Sequence, residues 1–248
     1  MSIMQQQLLS MLRLQDEMNC IVNPDWRNAG YNWPRAIMVE AVEAMEHHGW
    51  KWWKKQEPDM AQVRMELVDI WHFILSHEIV SSSPENTKGN LLKEISIRME
   101  TVIYDEYYKS ARFNMFSHPL LETLQQIAGI AANGKVSLAT FFQAMEKSGM
   151  TWQDLYVSYI GKNCLNRFRQ AHGYKTGHYL KDWSGAALIQ PLAEARALED
   201  NDHLTDLINT IDPGAPDLFE KLTHALRGRY TDVQNNEKVQ HGKPSPKP

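Results

Sequence analysis

An all-α fold is predicted for this chain of 248 residues by three features of its sequence. Apolar residues recur at spacings of three and four nearly throughout, the β-branched alternation of a half-buried strand is scarce, and Pro and Gly fall where helices start and stop. The pattern predicts helices over Ile3–Cys20, Pro34–His48, Asp59–Val80, Glu85–Tyr107, Pro119–Ala132, Ser137–Lys147, Thr151–His172, Asp202–Thr210 and Pro216–Arg227. Pro34, Pro119 and Pro216 suit first-turn positions, where a missing N–H costs nothing. Thr151 with Asp154 approximates a capping box, and Gly134 and Gly173 suit the position just past a helix end. Without an internal repeat or a Pro/Gly/Ser linker, one domain over residues 1–229 with one principal core is the economical reading. The polar stretch 230–248 is predicted to be a disordered tail.

Composition narrows the function classes. With 43% hydrophobic and 23% charged residues, 13 Gly and 11 Pro, collagen-like, low-complexity and wholly disordered chains are excluded. A formal net charge of −4 advertises neither nucleic acid nor an anionic membrane as partner. Two cysteines, Cys20 and Cys164, are too few for a disulfide framework or a Cys-based zinc site; they suit a reduced, cytoplasmic protein and read as small apolar packing residues. The N-terminus lacks a basic n-region with an apolar core, and no window reaches the roughly 18 uncharged apolar residues of a membrane span.

Met65–Val80, MELVDIWHFILSHEIV, leaves almost no polar face, so this helix is predicted to be buried in a core or an interface. Glu66 and Asp69 sit in it at i and i+3 and project from one side. An ionised carboxylate in apolar surroundings is costly unless it is paired or bound to a cation. Upstream, RAIMVEAVEAMEHH repeats the spacing with Glu40 and Glu43, beside a stripe of Ile37, Met38, Ala41, Val42 and Met45. If the two pairs face each other, four carboxylates converge, and such a set persists only around strong positive charge. Hard oxygen ligands point to Mg²⁺, with Mn²⁺ as the alternative, and to metal-assisted phosphoryl or pyrophosphate transfer. The plainer alternatives are two solvated acidic stripes, or an Arg or Lys that neutralises Glu66 and Asp69.

Between these helices lies GWKWWKK, where Lys51, Trp53 and Lys54 combine groups that stack on a base with groups that neutralise phosphates. The same run also reads as aromatic anchors with solvated lysines. In KNCLNRFRQAHGYKTGHYLKDW, Asn163, Asn166 and Gln170 share a helix face while Leu165 and Phe168 turn inward. Arg169, Tyr174, Lys175, Tyr179 and Lys181 then gather donors around a Gly-punctuated loop, a phosphate clamp by type or else a solvated helix end. GIAANGK has the spacing of a phosphate-binding loop, but Val136 stands where a metal-binding Ser/Thr belongs and a helical stretch precedes it, so that reading is rejected. Asp69 and His72 resemble half of a di-iron Glu-x-x-His motif, which the chain lacks; His72 reads instead as a core or pocket histidine that donates a hydrogen bond.

VEAVEAMEHHGWKWWKK, ELVDIWHF and KNCLNRFRQAHGYKTGHYLKDW, in that order, closely resemble the dimeric, all-α dUTPase family, a branch of the all-α nucleoside triphosphate pyrophosphatases. LQDEMNCIVNPDWR resembles that family's N-terminal helix motif, and LEDNDHL, with Glu199, Asp200 and Asn201, its last; together the motifs span Leu14 to about Leu204. The resemblance implies a homodimeric helical bundle with Glu40, Glu43, Glu66 and Asp69 as Mg²⁺ ligands. It implies Gln15, Asn19, Trp53 and His72 for a pyrimidine pocket, and Asn163, Arg169, Tyr174, Lys175, Tyr179 and Lys181 for sugar and phosphates. Lys51, Lys54 and Asn201 complete the candidate substrate-binding set. One departure concerns Gly185 and Glu199, which lie 14 positions apart where the family keeps the corresponding elements close. The intervening AALIQPLAEARAL reads as an inserted helical segment over 186–198, which sets Asp200 and Asn201 apart from the preceding motif.

The expected function is Mg²⁺-dependent hydrolysis of dUTP to dUMP and pyrophosphate, sanitising the nucleotide pool and supplying dUMP, with Glu40 as the candidate base. The runner-up is a sister specificity for dCTP, since amides such as Gln15 and Asn19 can present either donor or acceptor to a pyrimidine edge. Rivals from other classes are a catalytically silent nucleotide-binding protein and a helical di-metal oxidoreductase.

Overall fold

The computed structural model describes residues 1–82, 90–108, 119–184, 186, 198–212, 215 and 217–241. Its helices are α1 (Ile3–Val22), α2 (Trp33–His48), α3 (Met60–Ser81), α4 (Leu91–Val102), α5 (Leu120–Ala132), α6 (Leu138–Lys147), α7 (Trp152–Ala171), α8 (Asp200–Thr210) and α9 (Leu218–His241). A π-helical turn at Ile103–Tyr108 continues α4, and a 3₁₀ turn at Tyr174–Thr176 follows α7. Strand-like pairing among the described residues is confined to one antiparallel bridge, Asp182 to Glu199, so the fold is all-α as expected. Among the described residues no helix is long and apolar enough to cross a membrane.

Local chemistry sets the helix ends. Ser2, Asn32, Asp59 and Ser137 cap α1, α2, α3 and α6, each side chain accepting a first-turn N–H. Thr151 and Asp154 form the expected capping box: Thr151 Oγ1 accepts the Asp154 N–H at 3.1 Å and Asp154 Oδ2 the Thr151 N–H at 2.8 Å. Gly134 and Gly173 take positive φ, +71° and +83°, just past α5 and α7. At Gly173 a Cβ would also stand 3.0 Å from His178 Cβ, so the turn into the following loop is reserved for glycine. Pro119 is the residue before α5 rather than part of its first turn, with extended backbone at ψ 166°. The predicted starts at Glu85 and Pro216, and positions 187–197 of the proposed insertion, lie outside the described residues.

The chain divides into two compact units, Met1–Tyr159 and Ile160–Pro248, where one domain with one core was expected. The boundary falls inside α7, so no composition break marks it. In the first unit α3 packs against α1, α2, α4 and α6, which is why it needs no polar face. Trp71, fully buried, stacks on Phe141 with ring centroids 5.1 Å apart, and its indole N–H meets Met11 Sδ at 3.4 Å. In the second unit Phe168, Tyr179 and Trp183 gather round Tyr230 at 5.2 to 5.5 Å, and the Tyr230 hydroxyl accepts the Leu180 N–H at 3.1 Å. This corrects the tail boundary. Tyr230 and Val233 are buried on a helix that runs on to His241, because an aromatic cluster donated by other segments supplies the apolar partners that the polar sequence 230–248 lacks in itself. Cys164 is buried as expected, whereas Cys20 is exposed and does not serve as packing.

Candidate active site

Three of the four predicted acids, Glu40, Glu43 and Glu66, converge in the first unit. Carboxylate oxygens of Glu40, Glu43 and Glu66 lie within 4.8 Å of one another, the arrangement among the described residues that could hold a metal ion. Glu66 is 7% exposed, Glu40 half-buried and Glu43 exposed, so the cluster is walled on its α3 side and open at Glu43. Asp69 is not one of that trio, yet it acts on it. Burial first, then the charges of Asp69 and Glu66, push the Glu40 carboxyl up from 4.5 to about 8, with a hydrogen bond to Glu66 and the charge of Glu43 adding to the rise. His47 Nε2 stands 3.4 Å from Glu66 Oε1.

A raised carboxyl pKa means that the folded state holds a proton which the unfolded chain has released above pH 4.5. Stability contributed by protonated Glu40 is therefore complete below pH 4.5 and lost as pH rises through about 8. In EDTA the melting temperature is expected to fall across that window. Saturating Mg²⁺ should flatten the fall, because a cation favours the ionised acids; an identical profile with and without Mg²⁺ would count against cation binding here.

Along the same face of α3, His72 and Ser76 follow Asp69 at successive turns. His72 Nδ1 meets Gln15 Oε1 at 2.7 Å; since that oxygen only accepts, His72 donates, as expected. Gln15 Nε2 donates to Asn19 Oδ1 at 3.0 Å, Asn19 Nδ2 to Ser76 Oγ at 2.9 Å, and the Tyr159 hydroxyl reaches Gln15 Oε1 at 3.0 Å. The structure thus joins three of the four pocket candidates, Gln15, Asn19 and His72. Trp53, the fourth, lies on the loop after α2 and makes edge contacts with Trp50 and Trp52 at 5.3 and 5.4 Å. On that loop Lys51 is bound to Glu46 and lies 5.6 Å above the Trp50 ring, while Lys54 is exposed.

In the second unit the predicted clamp is tied to a carboxylate. Arg169 grips the fully buried Asp200 through two bonds of 2.8 Å, Nε to Oδ2 and Nη2 to Oδ1, and the Tyr179 hydroxyl donates to Oδ2 at 2.8 Å. Arg169 Nη2 also reaches Asn201 Oδ1 at 3.3 Å, and its guanidinium lies 5.7 Å from the Tyr174 ring centroid. Burial and the Asp200 charge push the Tyr179 phenol up, which keeps it a donor. Asn163 is fully buried and accepts from Arg167 Nε at 2.9 Å. Lys175 and Lys181 are exposed, Lys181 standing 3.9 Å from Glu199. The described residues on either side of 187–197 meet: the Trp183 N–H donates to the Leu198 carbonyl at 2.8 Å and the Asp200 N–H to that of Lys181 at 3.2 Å. Asp200 and Asn201 are therefore brought to Arg169 and Tyr179 despite the insertion.

Ser76, Tyr159 and Lys162 were missed by sequence reasoning. Lys162 is 2% exposed with Nζ 3.0 Å from Asn201 Oδ1. For Ser76 the available signal was spacing: it continues the Asp69, His72 stripe by one turn.

Fold and geometry together define an all-α protein with a converged carboxylate centre suited to a divalent cation. A sequence-family model described as dUTPase matches residues 7–174, more than half of the chain, and the chain belongs to that family, the dimeric all-α dUTPases. The match takes in the four acids, Gln15, Asn19, Trp53, His72 and the helix through Arg169; Tyr179, Lys181, Asp200 and Asn201 lie beyond it. No curated protein matches the chain in sequence.

Proposed function

We propose that the chain hydrolyses dUTP to dUMP and pyrophosphate with Mg²⁺ held by Glu40, Glu43, Glu66 and Asp69. The observation that carries this reading is the approach of three carboxylates to within 4.8 Å in a member of the dUTPase family. The donor set is all oxygen, which fits Mg²⁺ and admits Mn²⁺. Bound there, the cation would neutralise the acids and stabilise charge developing on the phosphate chain. Glu40, half-buried and kept ionised by the cation, takes the proton of the attacking water, and its hydrogen bond to Glu66 fixes its orientation. In the first unit Gln15, Asn19 and His72 are assigned to the base; in the second, Arg169, Tyr174, Lys175 and Lys181 are assigned to sugar and phosphates, with Tyr179, its proton given to Asp200, as a positioning residue.

The test is a substrate panel of dUTP, dCTP, dTTP and UTP, each with Mg²⁺ and with EDTA, the products separated by anion exchange. Mg²⁺-dependent release of dUMP and pyrophosphate from dUTP is expected. Comparable turnover of dCTP would move the chain to the sister specificity, and no metal-dependent turnover of any nucleotide would overturn the reading.

A further inference from the structure

The polar groups between α1 and α3 form a hydrogen-bond chain of a single sense, and we propose that Ser76 sets that sense and so makes the site read uracil in preference to cytosine. The proposal rests on the dUTP reading above. Ser76 is fully buried, and its hydroxyl donates to the backbone carbonyl of His72 at 2.9 Å. With its one proton spent there, Ser76 Oγ can only accept, and Asn19 meets it with its amide nitrogen at 2.9 Å. The Asn19 carbonyl is thereby turned to the Gln15 amide nitrogen at 3.0 Å. The Gln15 carbonyl in turn faces the donor His72 Nδ1 at 2.7 Å, and the Tyr159 hydroxyl, whose one proton is shared with the Met11 carbonyl at 2.9 Å, lies 3.0 Å from it. Each orientation follows from the one before it, and the first is fixed by a backbone carbonyl that cannot flip. Turning Asn19 over would set oxygen against Ser76 Oγ and nitrogen against the Gln15 nitrogen, two mispaired contacts in buried surroundings.

A side-chain amide carries two N–H groups and two lone pairs, and the chain uses one of each on Asn19. Asn19 is also half-buried where Gln15, Ser76, His72 and Tyr159 are buried, so its remaining donor and acceptor are the ones a base can meet. Uracil presents acceptor O4 beside donor N3–H; cytosine presents a donor amino group beside acceptor N3. An amide of fixed sense offers donor and acceptor in a fixed order, which matches one of these edges and opposes the other. Ser76 lies seven residues from Asp69 along α3, about 10 Å of helix and the span of a nucleoside, with His72 between them. Ser76 is thus a positioning residue: it acts on the base through Asn19.

The test compares wild type with Ser76→Ala by calorimetric binding of dUMP and dCMP and by Mg²⁺-dependent turnover of dUTP and dCTP. Wild type should prefer the uracil nucleotide. In Ser76→Ala, with helical content unchanged, the preference should fall by about tenfold or more, since unpaired polar groups are what reject the wrong edge. Tyr159→Phe removes the hydroxyl shared by the Met11 carbonyl and Gln15 and leaves Ser76 in place, so it should lower the melting temperature and keep the preference. An unchanged preference in folded Ser76→Ala, or an equal loss in Tyr159→Phe, overturns the proposal. Ser76→Cys, close in volume and a poor acceptor, gives the same readout should the alanine variant unfold. Wild type that binds dUMP without turning over dUTP, its preference lost in Ser76→Ala, would sink the hydrolase reading and support this one. Binding of neither nucleotide sinks both.

Discussion

Glu40→Gln is expected to lower dUTP turnover by roughly 10³-fold or more with the helical content of wild type, in line with the loss of a general base that is also a charged ligand. Glutamine nearly conserves the volume of Glu40 and can still hydrogen-bond to Glu66. It cannot take a proton from water, and it removes one of the three carboxylates that lie within 4.8 Å. The variant has a second signature that separates lost chemistry from a damaged fold. Burial and the neighbouring acids raise Glu40 to about 8, so ionising it in metal-free protein costs stability. A neutral glutamine escapes that cost, and metal-free Glu40→Gln should melt above wild type at pH 9 and lose that advantage towards pH 5. Lost turnover together with raised alkaline stability is the expected pair. Wild-type turnover in a folded Glu40→Gln variant would remove Glu40 from the role of base.

The acidic centre was legible because it broke a rule of burial. Glu66 and Asp69 stood in a helix without a polar face, and α3 is surrounded by four helices for that reason. Capping chemistry marked the start of α7 and the ends of α5 and α7, since Thr151 with Asp154 and the glycines at 134 and 173 act locally. Partners far apart in sequence were not legible. Asn19 and Ser76 are 57 positions apart, and a serine inside an apolar helix gives no sign of which amide it will orient. Arg169 and Tyr179 read as open phosphate donors because Asp200, 31 positions beyond Arg169, lies past an insertion that hid its return. Tyr230 read as the start of a tail for the same reason: the rings it packs against come from residues 168 to 183.

The Arg169–Asp200 pair carries the other large expected effect. Asp200→Asn should cost about 3–5 kcal/mol of stability, the range for breaking a buried ion pair from one side, because it leaves the Arg169 charge buried against a neutral amide. Only one oxygen remains to serve two guanidinium bonds and the Tyr179 hydroxyl, all 2.8 Å long in the wild type. Burial works against an ionised Asp200, yet the Arg169 hydrogen bonds and charge, helped by Tyr179 and Lys162, hold its carboxyl below the usual 3.8. The stability it supplies is therefore present above pH 3.8 and lost as pH falls below it through the depressed value. The melting-temperature gap between wild type and Asp200→Asn should be full at pH 7 and shrink below pH 4, where the wild type loses the same charge. A gap that ignores pH would mean that Asp200 acts through shape alone. The same variant bears on the clamp, because Arg169 and Tyr179 are presented by the carboxylate that binds them. If they hold phosphate, Asp200→Asn should raise KM for dUTP more than it lowers kcat, whereas loss of the acidic centre lowers kcat.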